Sequence, residues 1–597
     1  MELRQVTKPG QAAAFRASRY IHRDRHDRTS HDAARPPGPR GADAARTLAR
    51  LVTGRPLEAC TSLFARYGDT VYLPVPPWEG LYIFSRPEQA EHILATNQDN
   101  YVKPFTYRPL RMILGNGLLT AEDPLWRRHR RIIQPVFSTR NIASFATDLD
   151  AGAQRAVARW RGSQTVDVAA EMSALTLDVV GRVLFDADLL SEAPPLRRAL
   201  AAGQWLALLG AFLPIPWGPT STRTVRRAAQ LLGAGAVQQQ VEQLIARRLQ
   251  QPTAGGQGDK VTAGMEPDGH APRDLLGLLV AARDSDGSAL TEQEVRDEIS
   301  TFLVAGHETT AMALTWSLAL LSAYPQARRR LEDEVDAVLG DGPADPATLP
   351  WTTAVVSEAM RLYPPAWTLE RTAVADDDVC GTPVPAGSMV AVLPNLIHRN
   401  PAVWPNPAGF DPGRFLPGAP ERHRYAWLPF GGGKRGCIGA GFARQEAILV
   451  LARLCRHYRL DLAHPGLPRP AASSPSAPPD RSPCTSPPAT NHRGQTGHQH
   501  RRRSGLEHNW MRRHAEAGSL GHFSASALTA TMILGPDIAS APMGGSSENP
   551  SGAKAPARWV WRGCYSPPPR RGSGASCVRP AADVNGGLPG ETLDASN

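Results

Sequence analysis

Apolar residues recur every three or four positions over most of the chain between residues 41 and 460, as expected of helices that each bury one face. The stretches RTLARLVTG and LEACTSLFARYG predict two early helices, and TVYLP (70–74) and LYIFS (81–85) predict two short strands. RPEQAEHIL resumes helix from a proline start. Long amphipathic segments are predicted at about 126–160, 165–185, 225–250, 273–283 and 291–338, with further helices near 352–362 and 440–458. The prolines and glycines of WPNPAGFDPGRF (404–415) impose an irregular loop. The pattern therefore predicts a mainly α fold with small β-sheets. It fades at both ends. Residues 1–35 are predicted to be disordered, RPPGPRG (35–41) is a Pro/Gly break, and beyond about Asp461 a low-complexity tail (463–597) begins, also predicted to be disordered.

Composition narrows the classes. At 597 residues and 42% hydrophobic, the chain can bury a large core, and length alone would suggest several domains. Seven scattered cysteines are too few for a disulfide framework, which suggests a reducing, cytoplasmic setting. No run of about 18 apolar residues predicts a transmembrane anchor, and the first 35 residues have no apolar leader core. The net charge of +10 invites a nucleic-acid reading, yet the tail from residue 463 holds 14 Lys and Arg against 8 Asp and Glu, so six of the ten charges lie there. The remainder is unremarkable and carries no nucleic-acid motif.

The sharpest chemistry is FGGGKRGCIG (430–439), where one cysteine follows three glycines and two cations and precedes an apolar helix. Glycines let backbone N–H groups approach a sulfur or a flat ligand closely, and a helix start favours a thiolate. A phosphate loop fits poorly, because no Ser or Thr follows the lysine and no strand precedes it. A buried structural cysteine in a glycine turn is the plain alternative.

The order Phe430, Gly433, Arg435, Cys437, Gly439 resembles the haem-binding signature of the cytochrome P-450 family, and three further motifs extend the resemblance. EAMR (358–361) before LYPP places Glu358 and Arg361 on one helix face, and the resemblance implies that they lock to Arg414 of FDPGRF. AGHETT (305–310) lies in a long helix, where small Ala305 and Gly306 would admit a flat cofactor. There Thr309 would hydrogen-bond oxygen bound in the groove and Glu308 would help relay protons. WRRHRR (126–131) sets Trp126 and Arg130 four apart, suited to a haem propionate, and Arg371 and Arg435 match other propionate positions.

These motifs must converge on one porphyrin, so the resemblance implies a single domain over residues 36–462. Its fold holds haem b (iron protoporphyrin IX) between the oxygen-binding helix and the cysteine-loop helix, with Cys437 as the metal ligand. It also implies a monooxygenase acting on a hydrophobic small molecule with O2. Ferredoxin and ferredoxin reductase are the expected electron donors, because no flavin or dinucleotide fingerprint is present, and they would dock where Lys434 and its neighbours could meet acidic groups. FTYRPLRMILGNG (105–117), QWLALLGAFLPIPWG (204–218) and PPAWTLE (364–370) are expected to line an apolar pocket, and the texture is similar to bacterial terpenoid oxygenases. An oxygen-independent haem-thiolate isomerase or dehydratase is disfavoured by Glu308 and Thr309. The family's closing TLRP-like hairpin strand is missing. Reading SSPSAPPDRSPCTS (473–486) one base earlier is compatible with it, so a frameshift near residue 465 would explain both the missing strand and the tail, and would leave a haem-binding but inactive protein as the alternative.

Overall fold

Successive strand residues point to opposite faces and sort the sheet into two packed sides. The computed structural model describes residues 35–52, 56–75, 79–159, 166–185, 242, 275–340 and 344–462. The helix expected at 225–250 lies outside these save for Glu242, as do the 204–218 stretch, nearly all of the N-terminal segment and the whole 463–597 tail with its frameshift reading. Two helices, α1 (Gly41–Val52) and α2 (Pro56–Tyr67), lead into strands β1 (Thr70–Leu73), β2 (Leu81–Phe84) and β3 (Tyr101–Val102). Later come β4 (Leu369–Ala373), β5 (Asp377–Asp378), β6 (Pro383–Val384) and β7 (Met389–Val392). The main sheet has the order β1-β2-β7-β4-β3, and β5 pairs with β6. Only β2 and β7 run parallel, with Leu81 opposite Met389. Leu81, Ile83, Met389 and Ala391 face α1 and α2, while Tyr82, Phe84, Val390 and Val392 face the other side. Covering both faces is why LYIF reads as an unbroken apolar run.

The helices are α3 (Leu125–Ile133), α4 (Ala146–Arg159), α5 (Val168–Phe185), α6 (Glu292–Ala323), α7 (Pro325–Val338), α8 (Pro350–Leu362) and α9 (Ala440–His457), with shorter pieces between. Two segments expected as single helices are broken. The 126–160 stretch splits into α3, a tight turn at Gln134–Phe137 containing Pro135, a short helix capped by Ser138, and α4. The 291–338 stretch divides at Tyr324 (φ −120, ψ 79), because the following Pro325 excludes its predecessor from the α region. At the start of α6, Thr291 and Glu294 cap each other's backbone N–H. The helix then runs through the core against α5, α8 and α9, buried on nearly all sides over much of its length. Among the described residues, no helix is long and apolar enough to cross a membrane.

α8 is tied to the irregular loop by one buried knot. Arg361 and Glu358 are both fully buried, one turn apart and joined by two hydrogen bonds of 2.6 and 2.7 Å. The remaining guanidinium N–H groups donate to the carbonyls of His398, Pro407 and Gly409, each at 2.8 Å. Glu358 accepts the N–H of Asp411 at 2.9 Å, and Arg414 Nε lies 3.4 Å from the same oxygen. His398 completes the tie: Leu428 N–H donates to its Nε2 at 2.7 Å, so Nδ1–H donates to the Arg361 carbonyl at 3.1 Å. That geometry requires a neutral ring, and burial lowers its pKa to about 3.

Two outcomes follow. Glu358→Gln leaves the Arg361 charge unpaired in the core, which is expected to cost about 3–5 kcal/mol in a urea titration. A folded His398 pKa below the unfolded value of 6.5 means that stability is full above about pH 6.5 and is lost as pH falls toward 3. The wild-type urea midpoint should therefore drop more than that of His398→Asn between pH 7 and 5, by up to about 1.4 kcal/mol per pH unit; parallel slopes would rule this out.

Candidate active site around Cys437

The loop from Phe430 to Cys437 is closed by a backbone bond from Cys437 N–H to the Phe430 carbonyl at 2.9 Å, with Gly436 N–H on the Gly433 carbonyl inside it. Gly431 and Gly433 take φ of +68° and +65°. A Cβ on Gly433 would also fall 1.6 Å from the Leu94 carbonyl oxygen, so both backbone angle and space demand glycine there. Gly439 is the residue before α9. The Cys437 residue has exposed surface, yet surrounding protein burial raises its thiol pKa, with the Gly439 N–H and Arg130 pulling the other way. Phe430 is half-buried, edge-on to Trp427 at 6.5 Å and beneath Arg444.

On α6, Ala305, Gly306 and Thr309 are half-buried while the residues around them, Thr301 to Val304, His307, Glu308 and Thr310, are buried. These three share a face and leave a strip of open surface in the core. A Cβ on Gly306 would meet only Val180 at an ordinary 3.5 Å, so protein packing does not by itself require that glycine. Thr309 donates to the Ala305 carbonyl at 2.8 Å and Thr310 to the Gly306 carbonyl at 3.1 Å. The Thr309 hydroxyl therefore keeps its lone pairs for a further donor. Glu308 is buried, 3.7 Å from His307.

Cations gather nearby. Arg130 reaches the Gly436 carbonyl at 2.9 Å, directly beside Cys437. Arg435 donates to the Ala121 carbonyl at 2.9 Å and to Glu122 at 2.7 Å, and lies over the buried Trp126 ring at 4.5 Å. Arg371 is buried and donates to the carbonyl of Glu370. Lys103 sits over Tyr107 at 4.5 Å, and burial together with Arg371 and Arg435 pushes its pKa well below the usual lysine range. Arg371, Arg435 and Trp126 line a cleft of about 140 Å³. At the cleft the exposed Lys434 pairs with Asp99 at 3.1 Å.

The family model for cytochrome P-450 matches residues 36–479. The chain belongs to the cytochrome P-450 family. Cyclooctatin synthase of Streptomyces melanosporofaciens is 35% identical to it over 424 residues, covering 69% of this chain and 87% of the relative. Cyclooctat-9-en-7-ol 5-monooxygenase of the same organism is 33% identical over 418 residues (68% and 85%). Pentalenene oxygenase of Streptomyces avermitilis is 31% identical over 425 residues (70% and 90%). This P-450 is a haem-thiolate monooxygenase that takes a hydrophobic substrate, O2 and electrons from a redox partner. Its own residues fit the haem: an accessible thiol, an open small-residue strip on α6, and a cation cluster with Glu122 as its nearby acid, which suits two carboxylates.

Some of the site was not visible in sequence. Lys103 carries no motif of its own and is placed by β3 and the turn after it. His129, inside WRRHRR, is fully buried and reaches Glu298 at 2.7 Å and Glu294 at 3.2 Å, fixing α3 to α6. Burial opposes its charge, but the two glutamates outweigh it and raise its pKa. Of the stretches expected to line a pocket, Trp367 packs instead with Leu51 and Leu63 behind the sheet, and Tyr107, Leu110 and Leu114 lie in the main core. Trp367 precedes the first residue of β4 in an irregular stretch, so the alternation that places Arg371 does not govern it.

The glycine geometry gives a test. Gly433→Ala should abolish haem incorporation, whereas Gly418→Ala, at φ +84° but with nothing within 4 Å, should cost only about 1 kcal/mol of backbone strain and load normally. Haem content per chain after reconstitution is the measurement.

Proposed function

We propose that this P-450 oxidises a terpenoid, using haem b with electrons from a ferredoxin and its reductase in the cytoplasm, and that residues 36–462 form its catalytic domain. The observation that carries the reading is the open strip of Ala305, Gly306 and Thr309 in an otherwise buried helix, together with an accessible Cys437 thiol. The terpenoid class draws on the relatives, two of which are named for cyclooctat-9-en-7-ol and pentalenene.

In this reading Cys437 would ligate the haem iron, and bound haem would supply the oxidising chemistry that adds oxygen to the substrate. Arg130, Arg371, Arg435 and Lys103 hold the propionates, and Trp126 packs beneath Arg435. Ala305 and Gly306 leave room for the flat ring, while Phe430 and Gly439 shape the sulfur side. Thr309 Oγ1, anchored on the Ala305 carbonyl, accepts a proton donor or turns its own proton into the groove, and Glu308 holds the next proton beside it. Glu358, Arg361 and Arg414 act at a distance by fixing the 398–414 loop, which reaches the entry to the cysteine loop through His398 and Leu428 N–H.

Reduction under carbon monoxide should give a strongly red-shifted Soret band, lost in Cys437→Ser with the protein still folded. With a surrogate ferredoxin system, terpene hydrocarbons such as pentalenene should yield oxygenated product only in the presence of O2, and Thr309→Val should lower that yield by at least about tenfold. Turnover of fatty acids with none of any terpene would overturn the substrate class.

A further inference from the structure

The glycines of the Gly115–Gly117 turn let its backbone lie flat on α6. A Cβ on Gly115 would fall 2.0 Å from Asp297 Oδ1, and one on Gly117 2.3 Å from Thr301 Oγ1. Two adjacent acids of α6 hold the turn: Asn116 N–H donates to Asp297 at 2.7 Å and Leu118 N–H to Glu298 at 3.1 Å. Just beyond, the same stretch supplies the Ala121 carbonyl and the Glu122 carboxylate that orient Arg435. Arg435 lies over Trp126, which shares a face of α3 with His129, one turn later. His129 Nδ1 returns to Glu298 at 2.7 Å. The contacts thus close a circuit through α3, Arg435, the 115–122 stretch and α6.

The circuit closes on one charge. Glu298 uses one oxygen on Leu118 N–H and the other on His129, and both side chains are fully buried. His129 Nε2 lies 3.2 Å from Glu294 Oε1, near enough for an ion pair though out of line for a hydrogen bond. Arg128 pairs with Glu294 at 2.8 Å and also donates to the Ala289 carbonyl. The other charged groups of the neighbourhood face elsewhere: Asp297 bonds Asn116 N–H and Gln293, Arg131 turns to Asp284, Arg130 to the Gly436 carbonyl and Arg111 to the Thr120 carbonyl. Glu294 and Glu298 therefore stand against Arg128, and these side chains balance only when His129 is an imidazolium. Burial opposes charge on Glu294, but bonds from Thr291 N–H, Arg128 and His129 hold its pKa down to about 2. Burial raises the Glu298 pKa, and bonds from His129 and Leu118 N–H limit the rise.

We propose that His129 is an imidazolium that positions the propionate cations from behind: it fixes Glu298, Glu298 fixes the 115–122 stretch through Leu118, and that stretch sets Arg435 and Glu122. It is a positioning residue that acts through Arg435, and its part rests on the reading of the Arg435 cluster as the carboxylate site.

The charge is read directly in the full-length holoprotein, as the reduced carbon monoxide complex with its histidines carrying 13C at Cε1. The resonance lost in His129→Gln should show the imidazolium shift at pH 7, where an ordinary histidine is largely neutral. A neutral-imidazole shift at that pH overturns the imidazolium.

Positioning is read from the rate of haem loss to excess apomyoglobin and from the propionate bending bands in resonance Raman spectra. His129→Gln and Glu298→Gln should each speed haem loss about tenfold, the size of one hydrogen bond to a charged group, and shift the bands. The double variant removes one charge of each sign and leaves an amide pair, so both readouts should return toward wild type. In an Arg435→Gln background His129→Gln should add nothing, whereas a general loosening of α3 would add its full effect. A double variant as fast as the single ones, an additive cycle, or unchanged bands in His129→Gln overturns the positioning role. If Arg435→Gln alters neither haem loss nor bands, the propionate reading fails and the positioning role with it, while the histidine resonance still decides the imidazolium.

Discussion

A single desolvated guanidinium sets the frame. Arg361 has no water to satisfy it, so all five of its N–H groups must find oxygen within the fold, and they do so on Glu358 and three loop carbonyls. A buried cation that loses any one of these partners is penalised far more than a surface one. The loop from residue 398 to 411 therefore has very few permitted paths, although its prolines and glycines give it no regular structure of its own. Through His398 and the N–H of Leu428 the same constraint reaches the stretch that enters the cysteine loop. The position of the Cys437 sulfur is in this sense inherited from a helix on the far side of the loop.

The cysteine loop adds a second constraint of a different kind. Arg361 is an electrostatic demand, while Gly433 is a steric one, since its Cα lies where any side chain would strike the Leu94 carbonyl. α6 answers from the other side with small residues where its neighbours are large. Its cap, its grip on α3 through His129, and its burial against α5 and α9 leave it little freedom to shift. Rigid walls on two sides are what a catalytic site needs to hold reacting groups in one geometry.

Much of this was readable from short motifs, because each combines residue types that ordinary packing does not call for together. Glu358 with Arg361, the glycines around Cys437, and small residues beside Glu308 and Thr309 all stood out in the chain. The helix breaks at Pro135 and Pro325 were also written in the sequence, but apolar periodicity continues across them and masks the change of axis. What stayed hidden depends on contacts between distant segments. Lys103 becomes part of a cation cluster only when β3 lies beside β4, and Trp367 packs behind the sheet from an irregular stretch before β4 whose path no local pattern reveals.

The electrostatics of the assembled site carry one more step. Arg371 and Lys103 are both held below their ordinary pKa ranges by burial, each is further lowered by Arg435, and Glu122 is the acid that tempers them. The Cys437 thiol is likewise held toward its neutral form by burial. Protein alone thus leaves surplus positive charge on one side and a protonated sulfur on the other. A ligand with two carboxylates and a metal cation bound there would favour the charged lysine and the thiolate. Because only the folded chain brings these groups together, such a ligand stabilises the fold by its own binding free energy. Cofactor loading and folding would then be one linked equilibrium, coupled through these cations and the Cys437 thiol.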